Sequence, residues 1–261
     1  MFNIQLINGY IKHRFQAKSR HGVHSPFVYK LVDEVIYDFH NKAGYDKIER
    51  LRSDLIKDER FITITDLGAG SHVNNNKQKQ VKQLAKNALK PARLAQLIYR
   101  LAQRFSPETI IELGTCLGLT TSYLASAAPL AKVISVEGCP ETAGIARENL
   151  AKLNISNVEL KVGNFDYLFP EILNKTQKID FLFIDGNHRK DATLAYFDQA
   201  LPKVHEGSVM IFDDIYWSKG MQEAWEQIKK HPQVTLTIDL FWIGLVFFRK
   251  GQEKEHFKIK F

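Results

Sequence analysis

Cysteine is scarce in this sequence: Cys116 and Cys139 are the only two among 261 residues. Two thiols cannot build the framework of a small disulfide-held domain or a four-cysteine zinc site, and their scarcity points to a reducing, cytoplasmic setting. Long apolar runs are missing too. None approaches the roughly 18–20 residues that a helix needs to cross a bilayer. The opening stretch MFNIQLINGYIKHRF is too polar and interrupted for the apolar segment of a secretory signal. Internal repeats and low-complexity tracts are absent as well. One sign of charge is missing locally: between Asp66 and Glu108 lie eight basic residues and no acidic one.

What remains is an ordinary globular mixture, 44% hydrophobic and 25% charged, long enough for one sizeable core. The net charge of +7 is unevenly spread, with 19 Lys/Arg against 9 Asp/Glu in residues 1–105 and 17 against 20 in the remainder. The two parts therefore face different partners or different solvent demands.

The first hundred residues read as helices and loops. Ser25-Pro26 offers a helix start, followed by Phe27, Val28, Leu31, Val32, Val35 and Ile36 at helical spacing. A helix is expected over residues 77–90. Pro91 suits the first turn of another, with Leu94, Leu97, Ile98, Leu101 and Phe105 on one stripe. From Thr109 the pattern becomes alternating strands and helices. TIIEL, KVISVE, VELKVG, DFLFID and SVMIFDD are short apolar runs separated by helical stretches, the pattern of buried parallel strands with crossover helices. VTLTIDLF and WIGLVFFRK, with almost no connector, must form a hairpin. The expected fold is α/β: a Rossmann-like, doubly wound, mostly parallel sheet with an antiparallel C-terminal hairpin strand, binding its ligand beyond the strands' carboxyl ends. Residues 91–261 form this domain, and residues 1–90 a basic, mainly helical extension capping its substrate side.

One loop carries the chemistry. Glu112-Leu-Gly114-Thr115-Cys-Leu-Gly118-Leu-Thr120 follows a strand and opens a helix. Its two glycines permit positive φ and close approach of backbone to a ligand. The spacing is G-x-x-x-G, not the G-x-G-x-x-G that seats a pyrophosphate on a helix N-terminus. A carboxylate beside the loop would repel a pyrophosphate but suits S-adenosylmethionine, whose amino group and sulfonium are cationic. Glu137 ends the next strand, 23 residues after Gly114, where an acid can accept hydrogen bonds from ribose hydroxyls. A second glycine-rich stretch, Asp66-Leu-Gly68-Ala-Gly70, is followed by the polar SHVNNNKQKQ instead of a crossover helix, and reads as a structural turn.

With these features, residues from about 91 to 250 resemble the catechol/caffeoyl-CoA type of small-molecule O-methyltransferase and related class I S-adenosylmethionine-dependent enzymes. The segment ARLAQLIYRLAQRFSPETIIELGTCLGLTTSYLA carries the likeness. The resemblance implies that Glu112, Gly114, Thr115, Gly118 and Thr120 surround the methionine moiety, that Glu137 holds the ribose, and that Gly163, Asn164 and Phe165 lie near the adenine. It does not extend over the first 90 residues.

Further acids close later strands: Asp185 in DFLFIDGNH, and Asp213 and Asp214 in MIFDDIYW. Carboxylates converging in a cleft repel one another unless neutralised, and an all-oxygen set suits Mg²⁺ or Ca²⁺. The resembling metal-dependent enzymes hold their ion with an Asp and an Asp-Asn pair; here the pair is Asp213-Asp214, which puts the metal in question. Alternatively, Asp185 contacts the cofactor. His188 stands where that family has a catalytic Lys. A histidine with its ordinary pKa near 6.5 accepts protons at neutral pH, so His188 is the candidate base, with Asp185 beside it.

Lys79, Lys82, Lys86 and Lys90 would share one face of a helix over 77–90, opposite Val81, Leu84, Ala85, Ala88 and Leu89. Such a stripe is solvated, or it meets RNA or an anionic acceptor; without interleaved aromatics to stack bases, RNA is not favoured. The reading is O-methylation of a small-molecule acceptor. The alternatives are an RNA (tRNA) modifying methyltransferase and a non-catalytic nucleotide-binding Rossmann domain. Homo-oligomerisation is left open.

Overall fold

The computed structural model describes residues 4–65 and 78–261. The chain forms two compact units, one from residues 1–38 and 176–261, the other from 39–175. The motif Asp66–Gly70 lies outside the described residues.

The first unit opens with α1 (Ile4–Gln16) and α2 (Pro26–Leu31), the latter running on as a wide turn through Ile36. Pro26 occupies a first-turn position, where the missing N–H costs nothing. Val28, Leu31, Val32, Val35 and Ile36 are buried, as their helical spacing requires.

The second unit contains α3 (Tyr45–Leu55), β1 (Phe61–Thr63), β2 (Gln78–Gln80), α4 (Val81–Ala88), α5 (Ala92–Phe105), β3 (Thr109–Leu113), α6 (Leu119–Ala127), β4 (Lys132–Glu137), α7 (Pro140–Lys152), β5 (Val158–Val162) and α8 (Phe165–Lys175). The strands β3, β4 and β5 pair in parallel, with Ile111 beside Ile134 and Ile134 beside Glu159. Ile110, Ile111 and Leu113 are all buried, the signature of a strand covered on both faces.

Sequence and structure part company before α5. The boundary expected at 90/91 falls inside this unit, because Tyr45, Ile48, Leu51, Leu55, Val81 and Ala85 share one core with Ala95, Tyr99, Leu117 and Tyr123. Tyr45 meets the rings of Tyr99 and Tyr123 edge-on at 5.0 and 5.7 Å. Nor is 77–90 one helix. Residues 78–80 pair antiparallel with 61–63, and the helix begins only at Val81, capped by Gln80 and Gln83. The four lysines therefore form no single stripe: Lys79 is in a strand, Lys82 pairs with Glu59 at 2.7 Å, and Lys90 is buried.

The first unit resumes with β6 (Phe181–Ile184), α9 (Lys190–Ala200), β7 (Val209–Asp213), α10 (Lys219–Lys230), β8 (Leu236–Asp239), β9 (Ile243–Phe247) and β10 (Glu255–Lys258). β6 and β7 are parallel, and β9 runs antiparallel to both β7 and β8, as the missing connector demands. At Gly244 a Cβ would stand 2.6 Å from the ring of Trp225, so only glycine lets α10 lie against β9. The sequence did not announce β10, which pairs in parallel with β8. Backbone hydrogen bonds of Lys18 with Lys258 and Lys260 tie the segment after α1 to it. The architecture is the expected one: mostly parallel strands flanked by helices, with an antiparallel hairpin near the C-terminus.

Candidate functional site

β3 delivers the chain into the turn 114–118. The Gly114 and Thr115 amides donate to the Val136 carbonyl at 2.9 and 3.2 Å, so the turn leaves the sheet already anchored to β4. Gly114, Cys116 and Gly118 all have positive φ, at 109°, 50° and 78°. At Gly118 a Cβ would lie 3.1 Å from the Cβ of Ala146 and 3.2 Å from its Cα, in α7. Glycine at 118 thus lets helix α6 start tight against α7 and gives the turn its positive φ.

Beneath this turn lies a hydrogen-bonded acid. Glu112 is fully buried, and its Oε2 accepts from Thr121 Oγ1 and, at 2.6 Å, from Ser135 Oγ. Ser135 Oγ is in turn 2.5 Å from Thr115 Oγ1. Oε1 of Glu112 is buried with no hydrogen-bond partner. Burial pushes its pKa up to about 7, against the opposing pull of the two hydroxyls and of Lys90. Sequence reasoning placed Glu112 beside the turn; the structure places it underneath, holding strand, turn and helix together. It missed Ser135, although a lone serine in the otherwise apolar VISV of β4 was a visible signal.

Glu137 is only half-buried. Its Oε2 accepts from the Cys116 amide at 2.7 Å and its Oε1 from the Cys139 amide at 2.9 Å, so one carboxylate spans the turns after β3 and β4. The Gly163 amide donates to the Glu137 carbonyl at 2.9 Å, bringing the end of β5 alongside. Asn164 Oδ1 accepts from the Asp166 amide at 2.8 Å, capping α8, which Phe165 begins. Glu112, Gly114, Thr115, Gly118, Thr120, Glu137, Gly163, Asn164 and Phe165 therefore sit at or just beyond the carboxyl ends of three adjacent strands. A contact the sequence did not suggest is made by Cys139, whose Sγ lies 3.4 Å from both the Thr63 carbonyl and the Thr65 amide.

The first unit holds a different cluster. Asn187 (φ 51°) turns the chain after β6, and Asp214 (φ 52°) turns it after β7. His188 Nε2 then lies 3.9 Å from Asp185 Oδ1 and 4.0 Å from Asp214 Oδ2. Donor atoms of Asp185, His188 and Asp213 all fall within 4.8 Å of one another, with Asp213 buried and the other two half-buried. Asp214 is outside that set, its amide bound to the Trp242 carbonyl at 2.8 Å. The grouping read from sequence was Asp185, Asp213 and Asp214; the geometry puts His188 with the first two.

Comparison with known proteins agrees with the fold. Residues 111–215 match a family model described as a methyltransferase domain. An O-methyltransferase of Aspergillus flavus is 32% identical over 111 residues, covering 40% of this chain and 44% of that protein. A catechol O-methyltransferase of Niastella koreensis is 29% identical over 118 residues, covering 44% and 52%. The chain thus spans about half the length of the curated relatives it matches. Among solved structures, an O-methyltransferase from Bacillus cereus in complex with SAH superposes with a TM-score of 0.57 at 21% identity, over 83% of this chain and 94% of that one. An SAH-bound methyltransferase from Podospora anserina superposes with a TM-score of 0.61 at 12% identity, over 87% and 97%.

Proposed function

We propose that this chain, which has the class I S-adenosylmethionine-dependent methyltransferase fold and carries a methyltransferase domain over residues 111–215, methylates an oxygen of a small acceptor. The observation that carries the reading is the Gly114–Gly118 turn spanned by Glu137. Gly114 and Gly118 take the positive φ that the turn requires, and a carboxylate that accepts two amides, as Glu137 does, has further lone pairs with which to accept ribose hydroxyls. Adenosylmethionine, bound there, supplies an electrophilic methyl on a sulfonium. Gly114, Thr115, Gly118 and Thr120 hold its amino-acid end, Glu137 its ribose, and Gly163, Asn164 and Phe165 its adenine.

His188 takes the proton from the acceptor hydroxyl as that oxygen forms its bond to the methyl carbon, and the electrons of the broken C–S bond remain on sulfur. Asp185, 3.9 Å away, stabilises the imidazolium that results. A second reading rests on the clustering of Asp185, His188 and Asp213. One imidazole nitrogen with two carboxylates suits Mn²⁺ or Zn²⁺ better than the oxygen-loving Mg²⁺ or Ca²⁺. In that case Asp185, His188 and Asp213 would hold the ion, which would supply Lewis acidity for activating a hydroxyl. Two free thiols agree with a reducing, cytoplasmic setting.

The test is calorimetry with adenosylmethionine and NADH, followed by transfer of a labelled methyl to extracts split into RNA, protein and small-molecule pools, with and without chelator. Binding of adenosylmethionine and label in the small-molecule pool are expected. NADH binding in its place would overturn the reading, and label in tRNA would shift the acceptor to RNA. Loss of transfer with chelator selects the metal reading of His188.

A further inference from the structure

A surface helix ordinarily turns its apolar stripe inward; α1 carries one outward as well. Ile7, Ile11 and Phe15 recur every fourth residue and share one face, with exposures of 44%, 48% and 88%. The inward face carries Tyr10, whose ring meets Phe241 edge-on at 5.0 Å and lies 6.2 Å from that of Trp242. His13 is buried and its Nε2 lies 3.0 Å from Asp239 Oδ1, Ala17 is buried, and Gly9 faces the rings of Tyr216 and Phe241. Asp239 also accepts from Tyr216 Oη at 2.8 Å and the Phe241 amide at 2.9 Å, so the inner face is firmly seated. The outward stripe is therefore not an unfinished core.

Charge says what covers it. Exposed Lys12 and Arg14 flank the stripe on either side. Five basic residues and no acidic one precede Asp33. Where α1 ends, Gln16 and Lys18 line a cavity of about 290 Å³, space of headgroup size, with Lys258 and with Lys229, the latter paired with Glu226 at 2.6 Å. The carboxylate that also borders it, Asp239, is engaged by the donors just named. We infer that α1 is a peripheral docking helix for an anionic lipid surface: the stripe enters the acyl boundary, and Lys12, Arg14 and the lysine-lined cavity meet phosphate groups. A second copy of this chain would bring the same basic flanks against each other. Nucleic acid would gain nothing from isoleucines.

The full chain is sedimented with phosphatidylcholine vesicles, with and without about one-third phosphatidylglycerol. The chain should bind the anionic vesicles roughly tenfold better, and added salt should weaken this binding. The triple variant I7S/I11S/F15S should lose roughly tenfold in binding to anionic vesicles. K12E/R14E, which keeps the stripe, should lose the preference for phosphatidylglycerol, and it serves as the probe should the serine variant melt early. Three results would overturn the inference: no binding at low salt, binding that both variants retain, or light scattering that shows a dimer which the serine variant dissociates. None of these depends on methyl transfer.

Discussion

Two acid-bearing centres, one in each unit, are built on opposite plans. Around the turn 114–118 the carboxylates are tied into the chain: Glu137 spans two amides, and Glu112 gathers two hydroxyls on one oxygen beneath it. Around His188, carboxylate oxygens of Asp185 and Asp214 stand 3.9 and 4.0 Å from Nε2, on side chains that water still touches. The first plan fixes a shape before a ligand arrives, so that little ordering remains to be done on binding. The second gathers an imidazole and two carboxylates within 4.8 Å of one another, on side chains that are in part open to water, where a proton, hydroxyl or cation can enter. Rigidity suits recognition of a cofactor that never varies, and loosely held groups suit chemistry in which charge moves.

The largest effect is expected where the fixed shape is filled. Gly118→Val places a branched side chain at a φ of 78° and within 3.1 Å of Ala146. Affinity for adenosylmethionine should fall roughly thousandfold by calorimetry, while a cooperative melt persists. Binding within tenfold of wild type would show that the turn is a scaffold and not the cofactor seat.

The buried acid gives the next effect, and its sign is definite. Glu112 keeps its proton in the folded chain up to about pH 7 but loses it near 4.5 when unfolded. Between those values the folded state binds more protons, so stability falls as pH rises through the window and levels above it. Glu112→Gln has no proton to lose. Relative to wild type it should therefore gain stability between pH 4 and pH 8, by about 3 kcal/mol in denaturant unfolding. A pH-independent difference would mean that the hydroxyls hold Glu112 as a carboxylate.

How much of this was legible beforehand follows from what each pattern encodes. The strands β3 and β4 were readable to the residue because continuous β-branched runs ending in Gly or Glu have few other uses. The hairpin was readable because a connector as short as the three residues Leu240, Phe241 and Trp242 permits nothing else. β10 was not, since EHFK carries one apolar side chain and is fixed by pairing with β8. The burial of Glu112 was hidden for a geometric reason. In a strand covered on both sides, alternation no longer tells which face a polar side chain takes. The place of His188 was hidden by the left-handed turn at Asn187, a conformation that sequence spacing does not reveal. Tyr45, Ile48, Leu51, Leu55, Val81 and Ala85 looked like part of a separate extension because they pack on residues of α5 and α6, not on one another alone.

Removing the imidazole probes the loose centre. His188→Gln should lower kcat roughly hundredfold, with cofactor affinity near wild type. This split separates a group that meets the acceptor from one that shapes the cofactor seat. Unchanged turnover would take His188 out of the mechanism under both readings.

The smallest effect is the sharpest discriminator. Asp213 and Asp214 are neighbours in sequence, yet Asp213 joins Asp185 and His188 in one set within 4.8 Å, while Asp214, itself in a left-handed conformation, reaches His188 alone at 4.0 Å. Asn tolerates that conformation as well as Asp does, so Asp214→Asn carries no backbone penalty. Its carboxylate is partly exposed and 4.0 Å from His188, which limits its electrostatic weight. Turnover should stay within about fivefold of wild type, whereas Asp213→Asn should cost roughly hundredfold. Equal losses in the two variants would return Asp214 to the working set and make the centre a three-carboxylate site. The exposed centre would then be charge-dense instead of mixed, and Mg²⁺ or Ca²⁺ would again be the ions to add.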